Sequence, residues 1–147
     1  MPSLRNEAAR NSLIQRLHRL TPATRPRWGK LDAPRLLCHL ADTLSMALSD
    51  IRIPSVNKKA LQCFPLKHLI LYVLPLPKNI PTAPELLFSP PTSFDADRRR
   101  AVELIERLAT APRALGAEHP SFGPLTNEEW NILQWKHTDH HLRQFGL

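Results

Sequence analysis

Trp130-Asn131-Ile132-Leu133-Gln134-Trp135-Lys136-His137-Thr138-Asp139-His140-His141-Leu142-Arg143-Gln144 decides how this chain is read. Three of the seven histidines fall within five residues of it. Thr126 with Glu129 three residues later makes a capping box just upstream, and Gly146 is a stop signal just downstream. The stretch is therefore a helix, and a turn of about 100° per residue sorts its side chains. Trp130, Leu133, His137, His141 and Gln144 fall on one stripe, and His140 lies off its centre. An imidazole pair four residues apart on an apolar stripe has Cβ atoms about 5–6 Å apart, within reach of one metal ion. Buried rings need hydrogen-bond partners or a metal, so spacing alone leaves a satisfied core pair and a ligand pair both open. A zincin is excluded, because that motif carries Glu directly after the first His and this chain has Thr138 there.

The helices upstream supply the body around this face. Asn6 to Leu20 is amphipathic, with Ala9, Leu13, Ile14, Leu17 and Leu20 on one side and arginines on the other. Thr21-Pro22 ends it, and Trp28 in the following loop is expected to fold back onto the body. Asp32 caps a second helix with Pro34 in its first turn. Leu36, Leu37, Leu40, Leu44, Ala47 and Leu48 form its apolar face, with His39 and Thr43 at one edge and Asp42 beyond them. Asp95 to Thr110 is a third long helix, ended by Pro112.

Between the second and third long helices lies a proline-rich segment. Pro54, Pro65, Pro75, Pro77, Pro81, Pro84, Pro90 and Pro91 all fall between Asp50 and Thr92. Pro65 can open a short helix to about Val73, and Leu74 to Pro84 reads as an extended crossover. Four long helices with two short joints and a crossover of about forty residues specify an all-α fold. The expected architecture is a four-helix bundle in up-down-down-up order, formed by residues 1–147 as one domain. Metal sites in such bundles form between helices from inward side chains, where His39, His137 and His141 can converge.

Composition narrows the function classes. A chain of 147 residues with 42% hydrophobic content can bury one core. The N-terminus has no apolar signal region, and the longest apolar run, Leu69 to Pro77, is far short of the roughly 20 residues a span needs. The expectation is a cytoplasmic protein without a membrane partner. Cys38 and Cys63 make neither a CxxC pair nor a disulfide framework and are left out of the site. The net charge of +7 and pI near 10.1 raise a nucleic-acid partner. However, the cations are scattered, and Arg98-Arg99-Arg100 is flanked by Asp95, Asp97, Glu103 and Glu106, the pattern of a solvated helix face.

Leu17-His18-Arg19-Leu20-Thr21-Pro22 with Arg27-Trp28-Gly29, Cys38-His39-Leu40-Ala41-Asp42, Pro77 to Pro84, His119-Pro120-Ser121-Phe122-Gly123 and Trp130 to Gly146 together resemble an uncharacterised bacterial family of the DinB/YfiT-like superfamily. The resemblance runs over nearly the whole chain. It implies a DinB-like four-helix bundle, often a homodimer, holding one divalent metal on His39, His137 and His141. Relatives include thiol-dependent S-transferases and a mycothiol-dependent isomerase, while many members have no assigned reaction, so the resemblance implies a site more than a substrate.

The leading expectation is a metal-dependent enzyme of thiol-transferase or hydrolase type acting on a small-molecule substrate. Zinc, nickel or iron suits an all-histidine site, and the group it would activate is either water or a low-molecular-weight thiol. Asp42, His140 and Gln144 are candidates for receiving the second ring N–H of a ligand histidine. No P-loop, dinucleotide glycine fingerprint or Ser-His-Asp pattern competes. A metal-binding sensor without turnover and a basic nucleic-acid-binding bundle are the alternatives.

Overall fold

The computed structural model describes residues 1–54, 63–78, 89–112 and 118–147. These form helices α1 (Glu7–Arg19), α2 (Ala33–Ala47), α3 (Phe64–Tyr72), α4 (Phe94–Thr110) and α5 (Asn127–Gln144), with a two-residue hairpin, β1 (Glu118–His119) and β2 (Gly123–Pro124). The fold is all-α apart from that hairpin. Its register pairs Glu118 with Pro124 and His119 with Gly123. The hairpin occupies a stretch that reads as a plain loop in sequence. Its turn is held by the His119 ring, whose Nδ1 accepts from the backbone N–H of Ser121 and Phe122 at 3.1 and 3.2 Å.

Local chemistry accounts for the helix ends. The Asn6 side chain caps α1 through the Ala9 N–H, and Asp32 caps α2 through the Arg35 N–H. Thr126 and Glu129 form the full capping box of α5. In α4 the work falls to a different residue. Ser93 makes no side-chain cap bond, and Asp97 reaches back to accept from the Thr92 N–H and hydroxyl at 2.9 and 2.8 Å. Pro65 sits in the first turn of α3. Beyond Lys78, the expected crossover through Pro84 lies outside the described residues.

α2 packs most extensively along α4, while α1 lies against both α4 and α5; α2 and α3 each rest on α5. The core between them is built from Leu13, Leu17, Leu36, Leu40, Leu44, Ile105, Leu108, Trp130 and Leu142. Each such burial stabilises by roughly 1.5–3 kcal/mol before entropy is counted. α2 is buried along almost its whole length, because it is covered on more than one side.

Polar contacts set the position of α5 in this frame. Asp139 accepts from Arg16 of α1 at 2.7 Å and from Arg143 at 2.8 Å. The Trp135 indole N–H donates to the Ala9 carbonyl at 3.2 Å, and the Gln134 amide donates to the Thr43 carbonyl at 3.1 Å. The Lys136 ammonium donates to the carbonyls of Ile70 and Leu71 at the end of α3, where the helix dipole favours a cation. The face of α5 that carries His137 and His141 is thereby aimed at α2. Among the described residues, no helix is long and apolar enough to cross a membrane.

Candidate metal centre

His39 comes from the middle of α2, and His137 and His141 come from successive turns of α5. The Nε2 of His137 lies 3.2 Å from that of His39 and 3.1 Å from that of His141. One ligand atom from each of the three falls within 4.8 Å of the others. The rings meet edge to face, with centroids 4.6 to 5.0 Å apart. His39 is 2% exposed and His141 is 8% exposed.

The hydrogen positions follow from the surroundings. The Gln144 amide nitrogen donates to the Trp28 carbonyl at 2.7 Å, which turns Gln144 Oε1 toward His141 Nδ1 at 2.8 Å. His141 Nδ1 must then carry the proton, and neutral His141 presents a bare lone pair at Nε2. For the 3.1 Å contact to be a hydrogen bond, His137 Nε2 must donate to it. That donation leaves His137 unable to accept from His39 at 3.2 Å. Neutral imidazoles can meet both contacts only by splitting the one His137 N–H between two acceptors, whereas three lone pairs converging on a cation give each nitrogen a full partner. With metal–nitrogen bonds of about 2.0–2.1 Å, tetrahedral ligand nitrogens sit about 3.3–3.4 Å apart, close to the observed spacing. The three histidines fit a divalent ion.

Electrostatics agrees with that donor set. Burial, then the neighbouring imidazoles His141 and His39, holds the His137 ring well below the usual histidine range. Burial, then His39, pushes His141 down to about 3, against a smaller upward pull from the Gln144 hydrogen bond. Both are neutral at pH 7, as ligands must be. His137 Nδ1 is buried and finds no hydrogen-bond partner among the described residues.

The other sequence candidates separate clearly. Gln144 bonds His141 directly and orients it. Asp42 is buried, but its two oxygens accept from the Ser89 N–H and hydroxyl at 3.1 and 2.6 Å. His140 is half-buried; its ring centroid lies 5.4 Å from that of His141 and 6.1 Å from that of Trp28. Its pKa is lowered by burial first, with Lys78 and Arg143 adding to the effect and Asp139 opposing it. Cys38, next to His39 in sequence, is turned toward Asp97, and burial followed by Asp97 and Asp42 raises its thiol to about 11. It remains a neutral thiol and takes no part in the cluster.

Gly29 is a site residue that sequence patterns do not reveal. Its φ is +78°, and a Cβ built there would lie 2.3 Å from Gln144 Nε2. The loop reaches the end of α5 at this point, where the Arg27 N–H also donates to the Gln144 carbonyl at 2.7 Å. The only sequence signal is a glycine following Trp28, and nothing in that pair announces a partner more than a hundred residues away. A cavity of about 250 Å³ lies along the neighbouring face of α5. Its lining includes His140, Lys136, Leu74 and Leu76 but none of the three clustered histidines.

One family's sequence profile, described as "Protein of unknown function (DUF1569)", matches residues 4–146. No curated protein and no solved structure matches the chain.

Proposed function

We propose, for a chain that belongs to the DUF1569 family, that this protein is a metalloenzyme of the DinB/YfiT-like superfamily. On this reading residues 1–147 form one domain, a four-helix bundle of α1, α2, α4 and α5 in up-down-down-up order. His39, His137 and His141 hold one divalent ion, which is zinc, nickel or iron. The reaction is attack by water or a small thiol on a small electrophilic substrate, of hydrolase or thiol S-transferase type. A homodimer in the cytoplasm is the working form.

The observation that carries this reading is the convergence of three Nε2 atoms that share at most one N–H among neutral rings and together suit a cation. The chemistry such an ion supplies when bound is that of a Lewis acid, which brings the pKa of a coordinated water to about 7 or keeps a coordinated thiol as thiolate. The chain's own groups prepare for it. Burial keeps His137 and His141 unprotonated, and Gln144 locks the His141 tautomer so that Nε2 faces the cluster. Three neutral ligands leave the ion its full charge and room for a further group.

A metal-binding sensor without turnover uses the same ligands. Nucleic-acid binding is the weakest reading. Arg10, Arg16, Arg98, Arg107 and Arg143 are each engaged with a carboxylate.

Elemental analysis tests the proposal directly, on the wild type and on His39→Ala, His137→Ala, His141→Ala and His140→Ala. Near-stoichiometric metal lost in the first three variants and kept in the fourth is the expected result. A wild type that takes up no metal even after reconstitution overturns the proposal. Turnover of thiol–electrophile pairs by the loaded protein then separates the enzyme from the sensor.

A further inference from the structure

The loop that carries Gly29 also places a tryptophan beside the cluster, and its polar edge has no partner among the described residues. Trp28 Nε1 is buried and makes no hydrogen bond among the described residues. An indole N–H can only donate, and leaving it buried and unpaired is destabilising. The ring is fixed on two sides. Lys78 Nζ sits 4.5 Å from its centroid, and the His140 ring meets it at 69°. His140 in turn stands against His141.

The indole N–H and the Lys78 ammonium of this wall are both donors. Lys78 forms no ion pair among the described residues, and an ammonium over the ring cannot accept from the indole edge. The nearby carboxylate and carboxamide are already used. Asp139, next to His140 in the chain, is held by Arg16 and Arg143. The Trp28 carbonyl receives the Gln144 amide, and Gln144 Oε1 receives His141. A ligand that satisfies this wall brings oxygen acceptors and negative charge.

We propose that Lys78 and the Trp28 indole N–H form an oxyanion-binding wall beside the trihistidine cluster, so that the molecule brought there carries a carboxylate or a phosphate. The inference rests on the metal reading only for the role of the neighbouring histidines. The wall itself is complete without an ion. It assigns a substrate class: a small anion whose charged end is held by Lys78 and Trp28 while its other end reaches the histidines. Trp28 and Lys78 position that ligand and do not exchange protons with it.

The test follows the three indole N–H cross-peaks of the 15N-labelled full chain, with Trp28 assigned by Trp28→Phe. Propionate, inorganic phosphate, 3-mercaptopropionate and the uncharged 2-mercaptoethanol are titrated against both the metal-free and the zinc-treated protein. The expected result is a saturable shift of the Trp28 peak with one or both oxyanions and none with 2-mercaptoethanol. Lys78→Met should weaken that binding about tenfold, as loss of one charge-assisted contact does. Comparing propionate with phosphate identifies which oxyanion the wall prefers. No saturable shift with either anion, or equal binding by Lys78→Met, overturns the proposal. Metal content measured on the same samples keeps the two readings apart. A shift in a protein that takes up no zinc leaves the wall standing and removes the metal centre, and a zinc-loaded protein without a shift does the reverse.

Discussion

Gly29→Ala adds a single methyl group on a loop, yet it should reach the metal centre through Gln144. Two costs arise. A non-glycine residue at φ +78° pays about 1–2 kcal/mol for the left-handed conformation. The new Cβ would also stand 2.3 Å from Gln144 Nε2, well inside carbon–nitrogen contact, so the carboxamide must move. Moving it breaks the 2.7 Å bond to the Trp28 carbonyl and releases His141 Nδ1 from its 2.8 Å acceptor. A buried polar group left unpaired costs about 1–3 kcal/mol, so the total loss of stability should be about 2–5 kcal/mol. Metal affinity should fall about 10- to 100-fold, the usual effect of removing the partner that orients a ligand histidine.

Urea unfolding of the metal-free protein reads the first quantity, and chelator competition reads the second. Gln144→Ala provides the comparison: it should lose the same affinity without the backbone strain. The double variant should lose no more affinity than either single one, because both act on one carboxamide. Wild-type affinity in Gly29→Ala, or additive losses in the double variant, would refute the linkage from loop to ligand.

The remaining predictions concern acid and the role of Asp42. His141 is lowered from 6.5 to about 3 and His137 is also lowered, so between these limits the unfolded chain binds more protons than the folded one. Stability of the metal-free protein should therefore be fully present above about pH 6.5 and decline steadily as pH falls toward 3, with His141 alone accounting for on the order of 4–5 kcal/mol. A stability that stays flat over this interval in urea titrations would contradict the buried, neutral assignment. Bound metal should be released over the acidic side of the same interval, since protons compete for the same lone pairs. Asp42→Asn weakens the grip on Ser89 and should cost about 1–3 kcal/mol while leaving metal content unchanged; a loss of metal in this variant would place Asp42 in the centre after all.

Much of the frame is legible before folding because it is local chemistry. A capping box needs only Thr126 and Glu129 three residues apart, and an N-cap needs only Asp32 ahead of an apolar run. The stripe holding His137 and His141 follows from helical periodicity, and both imidazoles do face α2. Periodicity places His39 and Asp42 near one edge of α2 but cannot say what stands opposite each. His39 meets α5, whereas Asp42 meets Ser89 across 47 residues of chain. The hairpin at Glu118 to Pro124 escapes sequence reading because two-residue strands carry no alternation, and its turn depends on the His119 ring.

What the sequence determines by itself is therefore the set of helices, their ends, and the histidine pair that points inward. These depend on contacts three or four residues apart, which the helix geometry guarantees wherever the helix lies. Tertiary structure decides which of the neighbouring polar residues serve the cluster. Gln144 is turned to His141 only because the Trp28 carbonyl holds its other end, and that carbonyl comes within 2.7 Å only because Gly29 has no side chain. Such an arrangement joins atoms more than a hundred residues apart, and no local propensity encodes it. It exists only once α1, α2 and α5 have packed and the loop has closed over the end of α5.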